Sequence, residues 1–197
     1  VHEAVICQRQ GVFFTVRSGR ADKALLCKVV KLGKNFAFVM LEDGTSDIFI
    51  PGRFTRGAMP GDKVLVEKFE HPRVEGSDEG EILAVLEEKN DLVGTVRRVE
   101  GMLKFVPDDC PAISMRMMRD CEGGAKDGDK VAVEILQRGN RQEDHRVGVA
   151  MRFGSSDEAK RCAKALLYAQ DIRSRFPDKV REEAKKLENA EVTEADC

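Results

Sequence analysis

The sequence predicts a mainly β chain, two tandem five-stranded barrels followed by α-helices. Three observations predict it. The heptapeptide GDKVLVE at 61–67 recurs as GDKVAVE at 128–134, an offset of 67 residues. Around each copy, short segments alternate apolar and polar residues with the period of two that marks half-buried strands. After residue 155 the apolar spacing lengthens to that of a helix.

Residues 1–23 hold GVFFTVRSGRADK and read as an N-terminal hairpin or extension, with Phe13 and Phe14 packing against the first barrel. Residues 24–90 form the first unit. Its strands are Leu25 to Lys31, Phe36 to Leu41 and Ser46 to Ile50, with an acidic turn at Glu42-Asp43-Gly44 before the third. Gly61-Asp62 opens the fourth strand and Gly80-Glu81-Ile82 the fifth. In the fourth, Val64 and Val66 face one way and Lys63, Leu65 and Glu67 the other. Residues 91–154 repeat this order: Leu92 to Val99, Met102 to Val106, the turn Asp108-Asp109, then Ile113 to Met117. The strand after Gly128-Asp129 and one near Val147-Gly148-Val149 complete it. Five short strands per unit with regular turns suit a small barrel, and two such units fit a 197-residue chain.

Residues 155–197 read as a helical linker. Ser155 and Glu158 stand in capping-box spacing. Ala159, Cys162, Ala163, Leu166 and Ala169 then mark one helix face. Phe176-Pro177 breaks that helix, and Val180, Ala184 and Leu187 mark a second one from near Asp178. The tail NAEVTEADC is polar.

Composition narrows the function classes. The chain is 42% hydrophobic and 35% charged, and no apolar run approaches the roughly eighteen residues of a spanning helix. Val1-His2-Glu3 does not open a signal peptide, and the missing initiator Met reads as an excised or processed chain. The six cysteines are scattered without a C-x-x-C pair, as reduced cytoplasmic thiols are. His2, His71 and His145 are far apart, so no metal site and no cofactor is expected here. Net charge is −2 but uneven: residues 1–69 carry eleven Lys/Arg against seven Asp/Glu, and residues 70–93 carry two against eight.

The basic excess surrounds GKNFAFVML at 33–41. Alternation puts Ala37, Val39 and Leu41 on one face and Phe36, Phe38 and Met40 on the other. Small branched residues suit a narrow interior, which leaves the phenylalanines outside. In SDIFIP, Ile48 and Ile50 likewise point in, and Phe49 points out beside Asp47. Three rings would then meet amid Lys28, Lys31, Lys34, Arg53 and Arg56. Single-stranded nucleic acid is bound by such platforms, through stacking on rings and contacts to phosphates. The pattern alone leaves an inter-unit contact or burial under a loop open. In the second unit an offset of 66 turns Leu103 and Phe105 inward and Lys104 outward, avoiding a buried lysine. Arg97, Arg98, Lys104 and Arg116 would there bind by charge, or the unit would serve as a spacer.

KNFAFV followed by DIFIP resembles the paired RNA-binding signatures of cold-shock domains, a class of OB-fold. AMPGDKV at 58–64, FVPDD at 105–109 and FPDKVREEA at 176–184 resemble, in order, the N-terminal region of the bacterial ribonuclease II / ribonuclease R family. The resemblance covers about residues 25–190. Asn35 and Ala37 replace glycines of the cold-shock signature, and the second unit lacks the aromatic pair. It implies two cold-shock OB domains that guide single-stranded RNA into a magnesium-dependent catalytic domain of the same polypeptide. That domain is a hydrolytic 3′–5′ exonuclease, with its aspartate cluster beyond Cys197. It also implies that residues 1–23 are compatible with a winged-helix remnant. On this reading the chain binds RNA, is a monomer with no membrane contact, and is inactive alone. The lone pair Asp108-Asp109 reads as a solvated or capping feature. The alternative is a protein-interaction module, with the acidic stretch 70–93 and the C-terminal helices docking a partner.

Overall fold

The computed structural model describes residues 4–9, 12–17, 23–172 and 178–187. Strands β1 (Ala4–Arg9) and β2 (Val12–Arg17) pair antiparallel as the expected N-terminal hairpin. The expected packing of Phe13 and Phe14 falls on side chains outside the described residues. Strands β3 (Leu25–Gly33), β4 (Phe36–Leu41), β5 (Asp47–Pro51), β6 (Lys63–Lys68) and β7 (Gly80–Glu87) form a sheet in the order β5-β4-β3-β6-β7. Strands β8 (Asp91–Val99), β9 (Met102–Pro107), β10 (Met115–Met117), β11 (Asp129–Gln137) and β12 (Arg146–Ser155) close into a barrel in the order β10-β12-β11-β8-β9. Helices α1 (Ala159–Ala169) and α2 (Asp178–Leu187) follow.

The two sheets share one strand order but not one closure. In the barrel, β10 and β12 pair parallel. At the equivalent place in the first sheet, β5 and β7 meet only near the single parallel bridge between Phe49 and Glu79. The expectation of two closed barrels is therefore met by the C-terminal sheet alone. Strand β5 ends at Pro51, which has no N–H to extend a ladder.

Inward residues follow the alternation. Val29, Ala37, Val39, Ile48, Ile50, Val64, Val66 and Ile82 are buried in the first sheet. Val96, Phe105, Met115, Val131, Val133 and Val147 are buried in the second, and one apolar cluster joins both linings. Phe105 is inside and Lys104 outside, the register that spares a lysine. Strand β6 departs from the half-buried pattern, because its outer face is covered too. Leu65 packs there with Ala24, Leu83, Ala84 and Leu86.

The repeated Gly-Asp turns are the same lock built twice. Gly61 N–H donates to Val29 O at 2.8 Å and Gly128 N–H to Val96 O at 2.9 Å. Asp62 Oδ2 accepts from Met59 N–H at 2.8 Å, and Asp129 Oδ2 accepts from Lys126 N–H at 2.7 Å. Each carboxylate also receives an arginine. Asp129 takes Arg152 from its own barrel at 2.7 Å. Burial pushes the Asp129 carboxyl up, but Arg152 and the Lys126 N–H together hold it below its ordinary value. Asp62 instead takes Arg138 from the other sheet, through Nη1 at 2.6 Å and Nη2 at 3.0 Å.

Arg138 opens the β11–β12 loop, which seats on the turn 55–62. Gln142 Nε2 donates to Thr55 Oγ1 at 3.0 Å and to Ala58 O at 3.1 Å. His145 is fully buried. Its Nδ1 accepts from Gly139 N–H at 2.9 Å, so Nε2 carries the proton and donates to Gly57 O at 2.8 Å. Gly57 sits at φ +70°, and a Cβ there would lie 2.3 Å from Gly139 O. Only glycine permits that approach.

The C-terminal region corrects two expectations. No capping box forms, because β12 runs through Ser155 and Glu158 takes the N-cap without a side-chain bond. Ser155 Oγ accepts from Asp157 N–H instead. The helix face is also rotated from the expected stripe. Ala165 is buried and Cys162 half-buried, whereas Leu166 is 63% exposed and Ala159, Ala163 and Ala169 are exposed. Phe153 meets Tyr168 edge to face at 5.7 Å, which fixes that rotation.

Arg138→Leu leaves the buried Asp62 carboxylate without its counter-ion. Urea unfolding should read a loss of about 3–5 kcal/mol, and a loss under about 1 kcal/mol would show that the clamp does not hold the sheets. His145 gives a second expectation. Burial, aided by the charge of Arg138 and opposed by the Gly57 contact, Asp62 and Asp144, lowers its pKa below 6.5. It is neutral when folded but takes a proton when unfolded, so its contribution is full above about pH 6.5 and is lost as pH falls. Denaturant midpoints should drop between pH 7 and 5.5, and His145→Gln should flatten that drop.

Candidate nucleic-acid interface

The outer face of β3-β4-β5 is organised in cross-strand rows. Lys31 pairs with Phe38 and Phe38 with Phe49. Gly33 pairs with Phe36 and Phe36 with Pro51. Lys28 pairs with Met40 and Met40 with Asp47. A register shift between Val29 and Lys31 makes this possible. Lys28 and Lys31 are three apart, so strict alternation would send one of them inward. The bulged residue Val30 returns Lys31 to the outer face beside the rings.

Phe36, Phe38 and Phe49 form a closed triangle. Phe36 and Phe49 stack at 5.9 Å between centroids with planes 26° apart. Phe38 meets Phe36 at 5.7 Å and Phe49 at 5.5 Å, edge to face in both cases. Such contacts hold the rings in fixed orientation, and all three remain half-buried rather than sealed. Phe36 lies back over Gly33, where a Cβ would come within 2.5 Å of the ring. The Gly33 position is therefore part of the platform.

Lys28, Lys31, Lys34, Arg53 and Arg56 are all exposed around or beyond this triangle. Arg53 is not a free cation, since its guanidinium sits 4.5 Å above Phe54. Phe54 in turn meets Phe69 edge to face at 5.2 Å. Sequence reasoning missed this second aromatic pair, whose members lie 15 residues apart outside any alternating strand.

On the second sheet Arg97 pairs with Lys104 and Lys104 with Arg116. These three occupy the places that Lys31, Phe38 and Phe49 hold on the first. Arg98 does not join them, because its side chain turns back to Gly101 O at 3.1 Å. Asp108 pairs with Lys130 at 2.6 Å, an ion pair rather than the solvated or capping feature expected. Among the described residues no group of three or more His, Cys, Asp or Glu is assembled to hold a metal. Likewise among the described residues, no helix is long and apolar enough to cross a membrane.

The acidic stretch 70–93 is largely consumed within the chain. Glu79 is buried and accepts from Arg73 N–H at 2.8 Å. Asp78 binds Lys68 at 2.8 Å and Ser46 at 3.0 Å, which hold its carboxyl below the usual range. Glu87 pairs with Lys63 at 2.8 Å and Glu88 with Arg138 at 3.4 Å. The negative charge that makes the chain near-neutral is thus partly neutralised by partners within the chain.

Residues 27–85 match the family described as the ribonuclease B OB domain. No curated protein matches the chain. Among solved structures it is similar to apo RNase R of Mycoplasma genitalium, at 22% identity over 83% of this chain with a TM-score of 0.65. RNase R of the same organism in complex with ribose methylated single-stranded RNA gives 20% identity over 87% and 0.65. Yeast Ssd1, a pseudonuclease, gives 14% identity over 75% and 0.58. At these identities the structural likeness is one of fold, and the chain spans 25–28% of those proteins' length. The family match and the fold agree on the N-terminal OB region of ribonuclease II/R exoribonucleases as the region this chain resembles.

Gly33→Val should push the Phe36 ring off the platform while leaving the strands paired. NMR contacts between the Phe36 and Phe49 rings should vanish with the other core contacts kept. Retention of those ring contacts would show that Gly33 does not shape the platform.

Proposed function

We propose that the chain is the single-stranded RNA-binding and guiding region of a ribonuclease R-like 3′–5′ exoribonuclease, working as two tandem OB units. The observation that carries this reading is the Phe36-Phe38-Phe49 triangle set beside Lys28 and Lys31 on one sheet face. Each base presents a π-face, and base–aromatic stacking contributes about 1–3 kcal/mol per base. The lysines add a sequence-independent attraction to phosphates that weakens with salt. The solved RNase R complex with single-stranded RNA supports this ligand class.

The role proposed is holding and aligning, not cutting. Magnesium-dependent hydrolysis needs carboxylates that orient water and stabilise charge on the phosphate. It is assigned to a catalytic domain of the same polypeptide, in the cytoplasm, with this chain acting as a monomer. The protein-interaction reading is less well supported, because five acids of the 70–93 stretch already have basic partners within the chain.

Fluorescence anisotropy with an unstructured oligo-RNA tests the proposal. The parent should bind at low salt, and F36A/F38A/F49A should weaken binding at least ten-fold. Equal binding by the parent and the triple variant would sink the platform. Incubation with RNA and Mg²⁺ should leave the RNA intact.

A further inference from the structure

The β11–β12 loop belongs to one sheet and is seated on the other, and His145 stands at its base. The ring is fully buried and uses both nitrogens on main-chain groups. Nε2 donates to Gly57 O on the first sheet, and Nδ1 accepts from Gly139 N–H within the loop itself. Only a neutral imidazole has an acceptor nitrogen, because both nitrogens of the cation are donors. Protonation keeps the bond to Gly57 but sets two N–H groups, at Nδ1 and at Gly139, against each other.

Gly139 has no space in which to turn aside. Its carbonyl oxygen lies against Gly57, where a Cβ would come within 2.3 Å of it. A Cβ on Gly139 would itself lie 2.5 Å from the Asp144 side chain, so the returning loop fills the other side. The Gly139 peptide therefore moves only if the loop lifts. Arg138 precedes it and holds the Asp62 carboxylate with both terminal nitrogens. Gln142, bonded to Thr55 and Ala58, lies between Gly139 and His145. All three attachments of the loop to the 55–62 turn belong to the segment that the donor conflict displaces.

The charges around the ring do not rescue the cation. Burial is the largest influence and holds the His145 pKa below 6.5; Arg138 assists, and the Gly57 carbonyl, Asp62 and Asp144 oppose. The Asp62 carboxylate is already engaged by Arg138 and by Lys89 N–H, and Glu88 also reaches Arg138, at 3.4 Å. The turn adds exposed Arg56, next to Gly57. Strand β10, which packs against Gln142–Asp144, adds Arg116, and the loop adds Arg141, Glu143 and Arg146.

We infer that His145 makes this loop an acid-released latch between the two sheets, shut while the ring is neutral and lifted from the 55–62 turn once it is protonated, with each sheet keeping its own strand pairing. A lifted loop returns the ring to water, where its pKa is about 6.5. The latch is therefore shut above about pH 6.5. Each pH unit below that raises the lifted population about ten-fold, until the pKa of the seated ring is reached. The latch lies at the joint and does not depend on what the outer faces bind.

Amide hydrogen exchange read by NMR tests it, expressed as protection factors so that the intrinsic pH dependence of exchange cancels. Between pH 7.5 and 5.5, protection should fall about ten-fold at Gly139, Met59 and Lys89, whose N–H groups bond His145 or Asp62. Val39 and Val133, on the central strands β4 and β11, should keep theirs. The side-chain amide of glutamine accepts and donates without titrating, so His145→Gln should hold protection at the three latch amides constant over that range. In the unaltered protein the ring-nitrogen shifts of His145 should titrate over the same pH range in which that protection is lost, a check that needs no variant. Constant protection at Gly139, a loss shared with Val39 and Val133, a loss out of step with the ring titration, or one that persists in H145Q each overturns the latch.

Discussion

The buried pairing of Asp62 with Arg138 is the constraint on which the arrangement of both sheets depends. Asp62 is fully enclosed and accepts four hydrogen bonds, from Met59 N–H, Lys89 N–H and both Arg138 terminal nitrogens. An ionised group removed from water is tolerated only with such complete partnering. The same carboxylate therefore fixes the turn that starts β6, the chain as it leaves β7 towards β8, and the loop after β11. His145 and Gln142 add neutral hydrogen bonds along that loop. Because the clamp sits at the 55–62 turn, it also sets where Arg56 and Arg146 stand relative to one another.

Duplication explains the shared scaffold, and divergence at a few outward positions explains the different surfaces. The Gly-Asp lock needs a glycine with positive φ, an aspartate and an arginine, and both copies have all three. The arginine comes from the other sheet at Asp62, where Lys89 N–H also joins, and that difference turns an internal turn lock into a joint. Outward positions carry no such packing requirement. A phenylalanine at 38 and a lysine at 104 occupy the same register without disturbing Val39 or Phe105 within.

Strand order, inward faces and the ring triangle were legible because alternation is a local property of the chain. Ala37, Val39, Ile48 and Ile50 announce a lining, which leaves Phe36, Phe38 and Phe49 no other side. The cost of a buried lysine was enough to choose the register that hides Phe105. The joint was not legible: Arg138, Gln142 and His145 read as an ordinary polar loop, and their partners lie more than seventy residues away. Barrel closure failed for a related reason, since nothing local in β5 reveals whether β7 will run beside it.

The near-zero net charge is the strongest objection to a polyanion ligand, and local pairing answers it. Coulomb attraction at a surface is felt within about a Debye length, roughly 8–10 Å in ordinary buffers. A charge held in a tight pair presents little field beyond that distance. Glu79 is buried, and Asp78, Glu87 and Glu88 each hold a basic side chain. Lys28, Lys31 and Lys34 beside the rings, and Arg97, Lys104 and Arg116 on the barrel, hold no acid among the described residues. A strand approaching either face meets unpaired cations first, whatever total the composition gives.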